Sequence, residues 1–284
     1  MIGDLKFRGA GPVRKTLIII FQIMLISYAL MILFPLFNMI ISSFKTTREI
    51  FKEPYAMPSE WQFSNYAEVW GKGGFGRYFF NSIITTTVSI ALVLIFGSMA
   101  SFGIARYKFR LATPLFIVFL AGIMLPLKAA IIPLFLMIKK MNLMDTRLAL
   151  ILVFTAMSMP STVFILVGFM KTIPSELENA ARIDGANDFQ IYRRVIMPLT
   201  APSIALVTIY NAVPVWNDFF FPLVFTQSDR LKTLPLGMSV FFGQYQISWH
   251  LLFASLSIAI LPMLVLYLFM SRYFIKGMTA GAIK

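Results

Sequence analysis

Asp218 and Lys128 are charges set inside otherwise apolar runs of a 284-residue sequence. An ionisable side chain is expensive in such a place and marks a position with a function. Asp218 belongs to Val215-Trp216-Asn217-Asp218-Phe219-Phe220. The Trp216 face can stack on a hydroxylated ring while Asn217 and Asp218 hydrogen-bond its hydroxyls, so this run is a candidate wall for a polar solute. The competing reading is a cluster that packs or gates. Lys128, in Leu125-Pro126-Leu127-Lys128, has three readings: attraction of an anionic solute, an ion pair with Asp218, or an ammonium that snorkels toward water. Pro126 and Pro133 loosen the chain around it and favour the last.

Other chemistry is bounded by what the chain lacks. The absence of cysteine excludes disulfides, thiolate metal sites and cysteine nucleophiles. A lone histidine, His250, cannot build a multi-histidine metal site, and it falls at the edge of an apolar run, where a membrane–water interface residue is expected. Gly71-Lys72-Gly73-Gly74-Phe75-Gly76 has the G-x-G-x-x-G spacing, but it follows an aromatic, polar segment and leads into an apolar run rather than a βαβ unit. Arg77 and Tyr78 stand where a phosphate loop needs Lys and Ser or Thr. It reads as a flexible external loop, and no cofactor is expected on this chain.

The densest run of chemistry-bearing residues is Lys171–Pro202, KTIPSELENAARIDGANDFQIYRRVIMPLTAP, with four acids and four bases between two apolar runs. Its charges place it in water. Ser175 with Glu178 three residues on predicts a capping box at a helix start. Acids in the first turn also suit the helix dipole. Ala180 and Ala181 offer a small-residue surface onto which another protein can pack closely. Gly185 predicts the left-handed residue that ends this helix. Asn187 or Asp188 predicts the cap of a second helix, and Pro198 predicts its end. The result is a two-helix elbow. Residue physics leaves it open whether this is an ordinary connector or a docking element.

The elements that must position these residues are membrane helices. Of the chain, 58% is hydrophobic and 13% charged, with a mean hydropathy of +0.79. A soluble domain sits nearer about 45–50% apolar and about 25% charged. A spanning helix needs roughly 20 mostly apolar residues. Six stretches meet this: about Thr16–Ser43, Tyr78–Ala105, Thr113–Ile138, Leu148–Met170, Leu199–Phe225 and Leu251–Met270. The expected fold is an all-α membrane protein, one transmembrane domain over residues 1–284, with six helices and the loop 171–198 between the fourth and fifth. Pro126 and Pro133 predict a bent or partly re-entrant third span. Thr16–Ser43 is far longer than a signal-peptide core and is expected to stay in the membrane. The net charge of +13 and pI near 10.0 would suit nucleic acid in a soluble protein, yet here the basic residues flank spans and orient them. They favour, by a modest margin, both termini and the elbow on the cytoplasmic side.

The elbow resembles the signature loop of permease subunits in binding-protein-dependent ABC importers, whose pattern is E-A-A, three residues, G, nine residues, I-x-L-P. Asn179-Ala180-Ala181, Gly185 and Val195-Ile196-Met197-Pro198 match that spacing at every element. Asn179 replaces the first glutamate of the pattern and removes a charge from it, with Glu176 and Glu178 nearby. Ala180-Ala181-Arg182-Ile183-Asp184-Gly185-Ala186, Thr233-Leu234-Pro235-Leu236-Gly237-Met238 and the ending Arg272–Gly281 are similar to the carbohydrate, maltose-type branch. The resemblance covers nearly the whole chain. It implies a bacterial or archaeal cell-membrane protein that works beside a second homologous permease, two ATPase subunits holding ATP and Mg, and an external sugar-binding protein. It implies that Glu176, Glu178, Asn179, Ala180, Ala181, Asp184, Gly185 and Pro198 couple to the ATPase. Met278, Thr279, Ala280 and Gly281 become a second ATPase contact. The family carries a similar Trp-Asn-acid run, which supports the packing or gating reading of Trp216 and Asp218. In the maltose-type system the partner permease makes most sugar contacts. Lys128 departs from the family expectation. A non-transport membrane protein that uses the elbow for docking is the alternative class, and a secondary transporter comes third.

Overall fold

The computed structural model describes residues 12–71, 74–126, 128–241 and 247–282. In chain order its helices are α1 (Pro12–Ser42), α2 (Thr47–Lys52), α3 (Ser64–Gly71), α4 (Phe75–Arg106), α5 (Ala112–Met124) and α6 (Ile131–Lys140). There follow α7 (Arg147–Met170), α8 (Glu176–Ile183), α9 (Asp188–Leu199), α10 (Ala201–Asn217), α11 (Phe220–Phe225), α12 (Leu234–Gly237) and α13 (Trp249–Ala282). Among the described residues, four helices are long and apolar enough to cross a membrane, in α1, α4, α7 and α13, and a fifth if the bent pair α9 and α10 counts as one. The 32 residues of α4 extend roughly 48 Å, well beyond a hydrocarbon layer of about 30 Å.

Two of the six expected spans are interrupted. The third, expected over 113–138, is two helices, α5 and α6, separated by residues 125–130. Pro126 lies in that break, with Leu125 in extended backbone just before it, as the residue preceding a proline prefers. Pro133 falls in the first turn of α6, where its missing N–H costs no helical bond. The fifth, expected over 199–225, starts at Ala201 after a 75° bend and stops at Asn217. A helix continuing through Pro222 would drive its ring into the carbonyl of residue 218. The backbone of Asp218 is instead extended, and its carboxylate accepts the Phe221 N–H at 2.8 Å, which starts α11 afresh.

The fold divides into two compact units: residues up to Val69 together with Phe241–Ile258, and Trp70–Val240 together with Ala259 onward. In the first, α1 is apolar all round with none of its spanning window buried, so lipid or another chain must be its solvent. The α2 turn is closed by a Thr46–Glu49 capping box, and the Glu49 carboxylate also takes the Ser59 side chain and N–H. These hydrogen bonds, Ser59 foremost, hold its pKa down at about 2. His250 Nδ1 lies 2.7 Å from the Thr47 hydroxyl.

In the second unit α4 packs on α7 through small residues. A Cβ at Gly97 would sit 2.5 Å from Thr162 Cγ2, so only glycine permits that approach. Buried serines of α4 satisfy their hydroxyls on the helix's own carbonyls, as Ser98 does on Leu94 O at 2.5 Å and Ser101 on Gly97 O at 2.6 Å. Phe154, Phe221, Phe225, Leu150 and Ile138 form one apolar core of this unit. Phe102, Leu166, Met170, Ile173, Ile191, Ile196 and Val207 form another, and the elbow closes over that one.

Candidate functional site

The elbow is α8, a turn at Gly185, and α9. Gly185 has φ +82°, in the left-handed region that its place after α8 predicts. Asn187 is the cap of α9, in a reciprocal box: its Oδ1 accepts Gln190 N–H at 2.9 Å, and Gln190 Oε1 accepts Asn187 N–H at 2.8 Å. The box expected at Ser175 does not form. Ser175 has helical backbone and makes no side-chain cap bond, and its carbonyl accepts the N–H groups of Glu178 and Asn179 instead. Its expected partner is engaged elsewhere: Glu178 Oε1 lies 2.7 Å from Arg106 Nε, with the two side chains only 9% and 11% exposed. The contact is ionic rather than a linear hydrogen bond. Arg106 also donates to Ile173 O at 2.9 Å.

Pro198 does not end the second helix where expected. Residues 191–196 widen into a π-turn, in which Met197 N–H reaches Tyr192 O, five residues back. The wider turn relieves the clash of the Pro198 ring with the preceding carbonyls, so helix continues to Leu199 and bends at Thr200. Ile191 and Ile196, fully buried, pin α9 into the core. Each is worth about 1.5–3 kcal/mol by apolar transfer. Arg182 and Asp188 bridge the Gly185 turn at 2.9 Å while half-exposed, a contact worth little by itself. Asp188 also neighbours Tyr107, whose phenol is pushed above the usual range by burial first and by the Asp188 carboxylate second.

Among its exposed charges the elbow also presents large apolar side chains outward. Ile183 is 87% exposed, and Phe189 and Leu177 are exposed beside Ala180 and Asn179. Ala181 faces inward against the core, so only one of the two alanines lies on the outer surface. Glu176, Asp184, Gly185 and Pro198 are exposed as well. Met278, Thr279, Ala280 and Gly281 occupy the last turns of α13, and their side chains lie outside the described residues. Sequence reasoning missed Arg106 and Tyr192 as fasteners of the elbow. Arg106 stood out only as a basic residue next to a span end, and its partner is 72 positions away in the chain.

A cavity of about 360 Å³ opens between α5, α7 and α10, and its polar wall is Ser158, Ser161, Tyr210, Asn211 and Asp218. Asn211 is held rigidly, taking Ser161 Oγ on its oxygen and donating to Thr162 Oγ1 and Val207 O. Of the four sequence candidates, Asp218 lines this cavity. Trp216 does not: it is buried, its indole N–H donates to Ala259 O at 3.1 Å, and its ring meets Phe79 edge-on. That is the packing reading. Asn217 donates to Val213 O on its own helix. The exposed Lys128 places its ammonium 5.9 Å over the Phe220 ring and acts on Asp218 only as a longer-range Coulombic neighbour.

Apolar helices of spanning length with a charged two-helix elbow between two of them define a multi-pass membrane protein. The family can be stated as well. Residues 93–280 match the binding-protein-dependent transport system inner membrane component, and the chain belongs to that family of ABC permeases. It is a transport component rather than an enzyme. The chain is 35% identical to the melibiose/raffinose/stachyose import permease protein MelC of Bacillus subtilis, over 88% of this chain and 91% of that one. It is 32% identical to the diacetylchitobiose uptake system permease protein NgcG of Streptomyces coelicolor, over 98% and 92%. A crystal structure of a bacterial ABC transporter involved in import of the acidic polysaccharide alginate contains a chain of the same fold, with TM-score 0.81, 21% identity and coverage of 93% and 99%.

Proposed function

We propose that this chain is the translocation subunit of an ATP-driven sugar or oligosaccharide importer, with the elbow seated on a separate ATPase and both termini cytoplasmic. The observation that carries the docking role is the elbow's outward face. Leu177, Ile183 and Phe189 stay exposed on a charged loop whose Ile191 and Ile196 are buried, and large apolar side chains left exposed on a water-facing element suit a protein partner. Names of similar permeases point to oligosaccharides as cargo. ATP and Mg belong to the two ATPase subunits, the cargo is delivered by an external binding protein, and a second permease completes the path. ATPase closure draws the elbows together and biases the helices toward the outward-facing state. On the cargo side, Ser158, Ser161, Tyr210 and Asp218 would supply hydroxyl and carboxylate partners to a passing sugar. Reconstitution of the full complex in proteoliposomes tests this. Uptake of a labelled oligosaccharide that requires both ATP and the binding protein is the expected result. ATP hydrolysis without any solute uptake, across a panel of oligosaccharides, would refute it.

A further inference from the structure

Among the described residues, two polar ties fasten the elbow to α4. Glu178, in the first turn of α8, meets Arg106 Nε at 2.7 Å. Asp188, the first residue of α9, lines one cleft with Tyr107, the residue that caps α4. The Tyr192 hydroxyl, in the π-turn, lies 2.7 Å from Ser98 Oγ. Ser98 and Arg106 stand eight residues apart on α4, roughly 12 Å along its axis. The neighbouring helix α7 meets the elbow differently, through the apolar side chains of Leu166 and Met170, whereas α10 continues from α9 through Thr200, whose hydroxyl donates to Ile196 O and Met197 O. Apolar contact is non-directional and tolerates sliding. A charge pair sheltered from water does not, because separation strands both ions.

The ends that are joined reinforce the pair. Arg106 is the last residue of α4 and Glu178 lies in the first turn of α8, so each charge sits at a helix terminus whose dipole favours it. A buried ion pair adds little net stability over an apolar one, and its best-attested use is to fix register. Its presence beside an otherwise apolar core is therefore explained by geometry.

We propose that the Arg106–Glu178 pair, backed by the Tyr192–Ser98 tie, is a positioning device that makes the elbow and α4 move as one body while α7 repacks against them. A displacement of the elbow by the ATPase is then delivered to α4 as well as along the chain to α10. This rests on the importer reading above. The test uses the complete importer in proteoliposomes, with Arg106→Gln, Glu178→Gln and the double exchange Arg106→Glu with Glu178→Arg. The readouts are solute imported per ATP hydrolysed, and the KM for MgATP. Each single variant is expected to lower the import ratio by at least about fivefold, with KM and the ATPase rate within about twofold of wild type, and the double exchange to recover part of the ratio, since each exchanged charge then opposes its helix dipole. Unchanged ratios in the single variants, or a double exchange no better than either, would overturn the proposal. Where a glutamine variant does not assemble, Tyr192→Phe deletes one hydroxyl of the same set of ties, and a wild-type ratio there overturns it equally. A wild-type complex that hydrolyses ATP and imports nothing removes the proposed function, and this inference with it.

Discussion

Gly185 is where the elbow depends most on a single residue. Its φ of +82° lies in the left-handed region, and a Cβ placed there would meet no atom within 4 Å. The constraint is therefore on the backbone alone, about 1–2 kcal/mol for an ordinary L-residue and less for Asn. Gly185→Asn should retain near-wild-type transport, and Gly185→Val should lower transport per ATP in proteoliposomes. Equal transport by both would show that the turn is not strained. Asp145 gives a prediction in pH. It accepts the N–H groups of Ser228 and Gln227 at 2.9 Å each, and these, Ser228 first, hold its carboxyl below the usual range. A carboxyl with a lowered folded pKa stabilises the native state fully above its ordinary pKa, and loses that contribution as pH falls through the lowered value. Asp145→Asn should therefore reduce thermal stability in detergent at pH 7 and narrow its gap from wild type below about pH 3.8. A gap that stays constant with pH would contradict this.

At the scale of elements, two contacts set the geometry around the elbow. Asn187→Ala removes the reciprocal cap of α9 and should cost about 1 kcal/mol, read as a lowered melting temperature. Gly97→Val forces α4 off α7 and should cost about 1–3 kcal/mol as overpacking, with partial relief from Thr162→Ser, which removes the methyl that Gly97 faces. A Gly97→Val protein as stable as wild type would show that the two helices are free to separate. Local signals in the sequence carried far at this scale. Long apolar runs located α1, α4, α7 and α13, Gly185 marked its own conformation, and the cap at Asn187 was one of two offered. What failed was local pattern under tertiary competition. The Ser175–Glu178 spacing fits a capping box, but Glu178 is taken by Arg106, and no local pattern reveals an ion pair across 72 residues. Pro198 was read as a stop because a π-turn able to absorb it leaves no compositional mark. Asp218 was visible as a charge but not as the carboxylate that restarts a helix broken by Pro222.

For the whole molecule, composition separates membrane from water, and the elbow separates a transport subunit from other polytopic proteins. The division of labour inside the elbow follows from burial: Glu178, Ala181, Ile191 and Ile196 hold it to the chain, while Leu177, Asn179, Ala180, Ile183 and Phe189 remain exposed beside Glu176, Arg182 and Asp184. In the proposed docking, Asn179, neutral where the family pattern has glutamate, removes one charge from the contact. The chain has no cysteine, so a single introduced thiol reports from one place only. The most direct measurement is site-specific cross-linking from Ile183→Cys in the assembled complex in membranes, with an outward-facing position, Phe164→Cys on α7, as control. The account predicts an adduct of the ATPase with residue 183, altered in yield by MgATP, and none with residue 164. Cross-linking of residue 183 to lipid alone, or to the ATPase no more than residue 164, would contradict it.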